Sequence, residues 1–251
     1  MRLHDKIAVV TGAGRGFGEG IATLFAAEGA AVVVADIDEA GARRVADLIG
    51  ERGGRAVAVG CDVSRDTDTA RMIGTAVDRF GRVDILVNNA GVTHVNQPCT
   101  EVSEADFDRV MAVNVKALFW AVKHVVPVMR RQGGGVIVNT ASTAGIRPRP
   151  GLVWYNASKG ACITATKSLA IELAPDRIRV NCVCPVAGET PLLPLFMGGD
   201  TPELRERFRA SVPLGRLSTP LDVARATLFL ASDEAEFLTG VALEVDGGRC
   251  I

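Results

Sequence analysis

Side chains that can carry a proton near neutrality are scarce in this chain. Tyr155 is its only tyrosine, and just three histidines accompany it. The six cysteines, at 61, 99, 162, 182, 184 and 250, form no CxxC pair, and the histidines are scattered among them. No metal site or redox motif is therefore expected, and the cysteines read as reduced, small apolar residues. Cys182 and Cys184 would share one face of a strand, where geometry disfavours a bridge. A net charge of −1, with no run of five like charges, gives no surface for nucleic acid or an anionic membrane. No apolar run approaches the roughly eighteen residues of a spanning helix. The opening MRLHDKIAVV enters a strand-like run without a signal-peptide layout, so a cytoplasmic protein is expected.

What the chain does contain is a regular beat of apolar segments. Its 251 residues suit one large α/β domain with a single core. The runs IAVV (7–10), AVVVA (31–35), AVAVG (56–60), DILVN (84–88), VIVN (136–139), IRVNCVC (178–184) and VALEV (241–245) are continuous rather than alternating. Strands buried on both faces read this way, which predicts a parallel sheet. Helical periodicities lie between them. Phe17, Ile21, Leu24 and Phe25 form one stripe ended by Gly29, and 104–131 carries Phe107, Val110, Met111, Leu118, Val122 and Val125 on another. Thr219, Pro220 and Asp222 read as an N-cap, a first-turn proline and the acid of a capping box. The alternation predicts α/β architecture, a single-domain doubly wound Rossmann fold over 1–251 with a parallel seven-stranded sheet and helices on both faces. One stretch, VAGETPLLPLFMGGDT at 186–201, has no clear assignment and begins a candidate substrate lid spanning 186–210.

The first strand runs into TGAGRGFG at 11–18, which opens directly into a helix. Gly12, Gly16 and Gly18 allow a tight turn and let a pyrophosphate approach backbone amides at the helix N-terminus, with Arg15 and Phe17 in the same loop. Asp36 closes the second strand, placed to hydrogen-bond a ribose diol and to repel a 2′-phosphate. NAD is accordingly expected over NADP, although the Arg15 guanidinium offers a phosphate contact. In WYNASK at 154–159, a helix would set Tyr155 and Lys159 on one face a turn apart. The adjacent ammonium would draw the phenol from its usual pKa of ~10 toward the working range. That spacing alone also describes many surface pairs, so its surroundings decide. Asn114 falls inside an apolar stripe and needs hydrogen-bond partners there. Ser142 follows the carboxyl end of a buried strand, the edge at which such sheets hold ligands, and has no Asp-His motif to make it a nucleophile.

Together, TGAGRGFG, Tyr155-x-x-x-Lys159, Asp62-Val63, NNAG at 88–91, Asn114, Ser142, Pro185, Thr190 and VDGG at 245–248 resemble the short-chain dehydrogenases/reductases from end to end. The resemblance implies that Tyr155 is the acid/base, that Lys159 binds the nicotinamide ribose and lowers the tyrosine pKa, and that Ser142 hydrogen-bonds the reacting oxygen. It implies that Asn114 holds a water, that Asp62 and Val63 meet the adenine, and that Asn89, Ala90 and Gly91 run beside the ribose. Pro185, Gly188 and Thr190 would approach the carboxamide. One departure stands out. Relatives usually read Pro-Gly after the sixth strand with a branched residue three beyond the proline, whereas this chain has Pro185-Val186-Ala187-Gly188.

The expected activity is NAD-linked interconversion of a secondary alcohol and a ketone. A 3-oxoacyl thioester reductase using NADPH and a dinucleotide-sensing protein without chemistry are the alternatives. The substrate pocket is expected at His94, Ser142, Trp154, Ala187 and Leu192, with His94 on the rim and Arg147 and Arg149 solvated. Small residues on the helix after Tyr155 (Ala157, Gly160, Ala161, Ala165, Ser168) suit close helix contact, and the resemblance implies a homotetramer formed through this region.

Overall fold

A computed structural model describes residues 1–251. The apolar runs become seven strands: β1 (Ile7–Thr11), β2 (Ala31–Asp36), β3 (Arg55–Gly60), β4 (Ile85–Asn88), β5 (Gly135–Thr140), β6 (Ile178–Pro185) and β7 (Ala242–Val245). All pair in parallel, in the order β3-β2-β1-β4-β5-β6-β7. Because successive side chains point to opposite faces, each central run supplies two cores. Val10, Val32, Val34 and Val87 face α1 (Gly16–Ala27), α2 (Glu39–Glu51) and α9 (Pro220–Ala231), where Ile21, Phe25, Val45, Val223 and Leu228 meet them. Val9, Val33, Leu86, Ile137 and Val180 face the other way. They pack on α3 (Asp66–Phe80), α5 (Ala117–Gln132) and α6 (Val153–Leu173) through Met72, Val125, Met129 and Leu173. Burial on both faces holds for the inner strands only; β3 and β7 form the sheet edges and are mostly half-exposed.

The expected caps form. Gly29 adopts a φ of 94° after α1, and the capping box of Thr219 and Asp222 closes on α9. The long stripe at 104–131 is divided. α4 (Glu104–Met111) passes through a π-helical turn, Ala112–Lys116, into α5. The most apolar 18 residues within this continuous 29-residue segment reach a mean hydropathy of 1.2, which by length and composition alone would pass for a spanning helix. Lys116 and Lys123 interrupt this apolar stretch without breaking the helix. Val110, Leu118, Ala121, Val125 and Met129 of this segment are buried in the protein core.

The unassigned stretch also acquires structure. It contains α7 (Leu193–Met197) and leads to α8 (Pro202–Ala210), which share a small core of Leu193, Met197, Phe208 and Leu217. Leu193 and Met197 are buried rather than exposed, because the short helices turn them toward one another. Strand order reverses between β1 and β4, and the loops leaving their carboxyl ends diverge to form a crevice there. Leu86→Ala at the middle of the sheet should lower the unfolding free energy by about 3 kcal/mol through a cavity that rigid neighbours cannot fill, as measured by chemical denaturation.

Candidate active site

The crevice is built around two locked loops. Thr11 Oγ1 accepts hydrogen bonds from the amides of Asn89 and Ala90 at 3.0 and 3.1 Å, and Asn89 Nδ2 donates to the carbonyls of Thr11 and Gly12 at 2.9 and 3.2 Å. Gly12 and Gly16 have left-handed φ of 62° and 59°. Gly18 is needed for space, since a Cβ there would lie 2.6 Å from Asn89 Nδ2. No side chain caps the first turn of α1, whose preceding residue Arg15 is exposed, so its amides face the crevice without an acceptor. That arrangement fits a pyrophosphate.

Asp36 ends β2 in the same crevice. Its Oδ2 accepts from Gly14 N at 2.8 Å and its Oδ1 from Asp38 N at 2.9 Å, which fixes the carboxylate and leaves each oxygen a free lone pair. Those lone pairs fit a ribose diol. Asp62 is tied into its turn by accepting from Ser64 N and Oγ, and it lines the crevice with Val63. Ile37 and Cys61 line this end as well and were not foreseen from sequence. Their position next to Asp36 and Asp62 is the signal that would have found them.

At the other end, α6 turns Tyr155 and Lys159 inward, with exposures of 7% and 4%. Lys159 Nζ donates to the Thr140 carbonyl at 2.8 Å and lies 5.8 Å from the Tyr155 ring centroid. Gly91 makes room for it, because a Cβ there would stand 3.3 Å from Nζ. Ser142 Oγ accepts from Ala144 N at 3.1 Å and donates to Pro185 O at 3.4 Å, which holds the hydroxyl at the cleft wall. Burial pushes the Tyr155 phenol up to about 12, with the Ser142 hydroxyl pulling in the opposite direction, and burial also lowers the Lys159 pKa. The expected drop in the tyrosine pKa is therefore corrected for the protein alone, where desolvation dominates.

Asn114 does not border the cleft. It is buried in the π-helical turn, with Oδ1 accepting from Val92 N and Nδ2 donating to Val92 O and Ser158 Oγ, all at 2.9 Å. Both amide donors are thus engaged by protein. Ser158 in turn donates to Tyr155 O at 2.7 Å, so Asn114 ties the stretch after Gly91 to the helical turn that carries Tyr155.

The remaining expected residues divide. Gly12, Arg15, Gly16, Phe17, Asn89, Ala90, Gly91, Pro185, Ala187, Gly188, Thr190 and Leu192 all line the cleft. His94 is instead buried beside it, its Nδ1 bonded to Val95 O at 2.8 Å, because the loop folds inward there. Trp154 also turns away, its ring edge-on to Phe107 at 5.1 Å between centroids. Arg147 and Arg149 are not simply solvated. Arg147 donates to the carbonyls of Arg249 and Ile251, while Arg149 stacks over Phe208 and donates to Ser211 Oγ; burial, with Arg249, Arg207 and Arg147 nearby, lowers its pKa to about 10. Phe196, within the stretch expected to cover the substrate, packs its ring 5.0 Å from that of Tyr155, and Pro191 of that stretch lines the wall too; sequence reasoning missed Val92 and Val113. It also missed Asn96, which donates to Leu195 O and Phe196 O and so ties down α7. The i, i+3, i+4 spacing of Leu193, Phe196 and Met197 would have signalled that helix. With a single tyrosine in the chain, absorbance near 295 nm reports Tyr155 directly; the folded, unliganded protein should develop no phenolate signal at pH 10, where a solvent-exposed phenol is half ionised.

Comparison with known proteins agrees with this geometry. A family model described as enoyl-(acyl carrier protein) reductase matches residues 12–249. The chain is 50% identical to 4-formylbenzenesulfonate dehydrogenase TsaC1/TsaC2 of Comamonas testosteroni, over 100% of each chain. Among solved structures, 3-ketoacyl-(acyl-carrier-protein) reductase of Brucella melitensis complexed with NADH superposes with a TM-score of 0.93 at 49% identity, covering 99% of this chain and 100% of the other. A 7α-hydroxysteroid dehydrogenase complexed with NADH and 7-oxo glycochenodeoxycholic acid gives 0.93 at 38% identity, covering 98% and 95%. With a two-loop crevice, a fixed acid at the end of β2 and a buried tyrosine-lysine pair, matched by relatives along its whole length, the chain belongs to the short-chain dehydrogenase/reductase family.

Proposed function

We propose that this oxidoreductase uses NAD in preference to NADP to interconvert an alcohol and its carbonyl compound, with Tyr155 as the acid/base. The observation that carries the proposal is that Tyr155, Lys159 and Ser142 share one cleft with the glycine loop and Asp36. The amides at Gly12 and Gly16 and the first turn of α1 would hold the pyrophosphate, and Asp36 the ribose diol. A 2′-phosphate would meet a carboxylate already anchored by two backbone amides and unable to swing aside. Asp62 and Val63 would border the adenine, and Pro185, Gly188 and Thr190 the carboxamide. The bound nicotinamide ring supplies the hydride donor or acceptor.

In reduction, the protonated Tyr155 phenol gives its proton to the carbonyl oxygen; in oxidation the phenolate takes it back. Ser142 Oγ, oriented by its bonds to Ala144 N and Pro185 O, donates to the same oxygen when turned from Pro185. Lys159 supplies the positive charge that a phenolate in this buried position requires. The wall of Val92, Val113, Leu192 and Phe196 supports an apolar ring-bearing substrate over a sugar. The similarity to a 3-ketoacyl-(acyl-carrier-protein) reductase keeps the thioester reductase as a second reading; Asp36 opposes only its NADPH-dependent form, since that relative holds NADH. We further propose a cytoplasmic location and a homotetramer, the latter supported by the small outward-facing residues of α6 and the exposed Phe119 of α5.

Tyr155→Phe should cut turnover by at least ~1,000-fold while leaving the Kd for NADH within ~3-fold, measured by steady-state rates and by fluorescence titration; residual activity above a few per cent would remove Tyr155 from its role. Wild-type kcat/KM should favour NAD over NADP by at least ~100-fold, and Asp36→Ala should narrow that ratio, read from paired cofactor titrations. A preference for NADP would overturn the reading of Asp36.

A further inference from the structure

Gly188 is the departure noted in sequence, and its backbone does not explain it. Its φ lies outside the left-handed region that favours glycine, so an L side chain is conformationally allowed. What excludes a side chain is space. A Cβ at 188 would lie 2.7 Å from Phe17 Cε1 and 2.7 Å from Ser218 Oγ, with the tip of the Phe17 ring closer still. Neither backbone has room to recede. On one side, Ser218 Oγ donates to Val186 O at 3.1 Å, Glu189 N donates to Ser218 O at 3.0 Å, and Ser218 N donates to Ala187 O at 3.3 Å. On the other, α1 is held against α9, where a Cβ on Gly20 would meet Pro220 Cβ at 2.8 Å.

The contact joins the two ends of the cleft. Phe17 follows Gly16 on the first turn of α1, at the anion-facing loop. Gly188 lies three residues beyond Pro185, whose carbonyl accepts from Ser142 beside Tyr155. Thr190, at the start of the lid, already leans on the loop, since a Cβ at Gly16 would lie 3.5 Å from its methyl group. Resting on the dinucleotide reading above, we infer that Phe17 and Gly188 are a size-matched pair that positions the nicotinamide end of the dinucleotide, the ring supplying the wall at the place where a side chain at 188 would otherwise stand. A methyl group at 188 requires the ring to shift, and because Phe17 lines the cleft, side-chain rotation carries it there. There it obstructs the reacting end of a dinucleotide and spares the adenosine end held by Asp36. Phe17 is in this sense a positioning residue.

The test compares wild type, Gly188→Ala, Phe17→Ala and the double variant, titrated with NADH and with ADP-ribose, which lacks the nicotinamide. Melting temperatures are recorded for each. Gly188→Ala should weaken NADH at least ~10-fold while ADP-ribose stays within ~2-fold, and the double variant should return NADH affinity to within ~3-fold of Phe17→Ala alone, a non-additivity expected only of groups in contact. Unchanged NADH affinity in Gly188→Ala would overturn the inference. So would a double variant showing the product of the two single effects. Parallel loss of both ligands together with melting temperature would overturn it too, by making the pair a matter of folding only. A wild-type protein that bound neither ligand would remove the dinucleotide reading itself, and with it the pair.

Discussion

Everything at the reacting end of the cleft depends on two buried groups that are each unfavourable alone. Burial raises Tyr155 from 10.0 to about 12, which corresponds to about 3 kcal/mol against the phenolate. Burial also opposes the charge on Lys159. The Lys159 ammonium, 5.8 Å from the centre of the Tyr155 ring, is the positive charge placed to favour a phenolate against that penalty. The Thr140 carbonyl holds Lys159 in register, and Gly91 leaves the space its ammonium occupies.

The scaffold serves this pair by being rigid where the chain must approach itself. Thr11 and Asn89 fasten the loops after β1 and β4 to each other, so the crevice at the reversal of strand order has fixed walls. Asn114 fastens the next turn of chain to α6 through Val92 and Ser158. The stretch carrying α7 and α8 is held differently. Its helices share a small separate core, and Asn96, Arg149 and the Phe196–Tyr155 contact tie it to the rest of the molecule.

Much of this was legible in the sequence because the signals are local. Continuous valine-rich runs marked the seven strands, and glycines next to a strand and a helix marked the anion loop. Asp36 could be placed because its distance along the chain fixes it at the end of the next strand. The burial of His94, the turning away of Trp154 and the amide network of Asn114 were not legible. Each depends on a neighbour distant in sequence, such as Phe107 for Trp154 or Ser158 for Asn114. The phenol pKa was misjudged for a related reason. Spacing along a helix reveals an adjacent ammonium, whereas desolvation comes from Phe196, Ala144 and Leu152, which tertiary structure brings around the ring. Gly188 stood out as an exchange of residues, but the ring that crowds it, that of Phe17, is distant in sequence.

The central claim is that the charge on Lys159 sustains the Tyr155 phenolate against burial. It is tested most directly by the pH dependence of alcohol oxidation, as kcat/KM at saturating NAD, in wild type and Lys159→Met. The account predicts that the pH at which the rate becomes half-maximal moves upward in the variant, because the phenolate has lost its cation. An unchanged midpoint with only a uniformly lower rate would contradict it, leaving Lys159 as a binding residue and the acid/base pair without its physical basis.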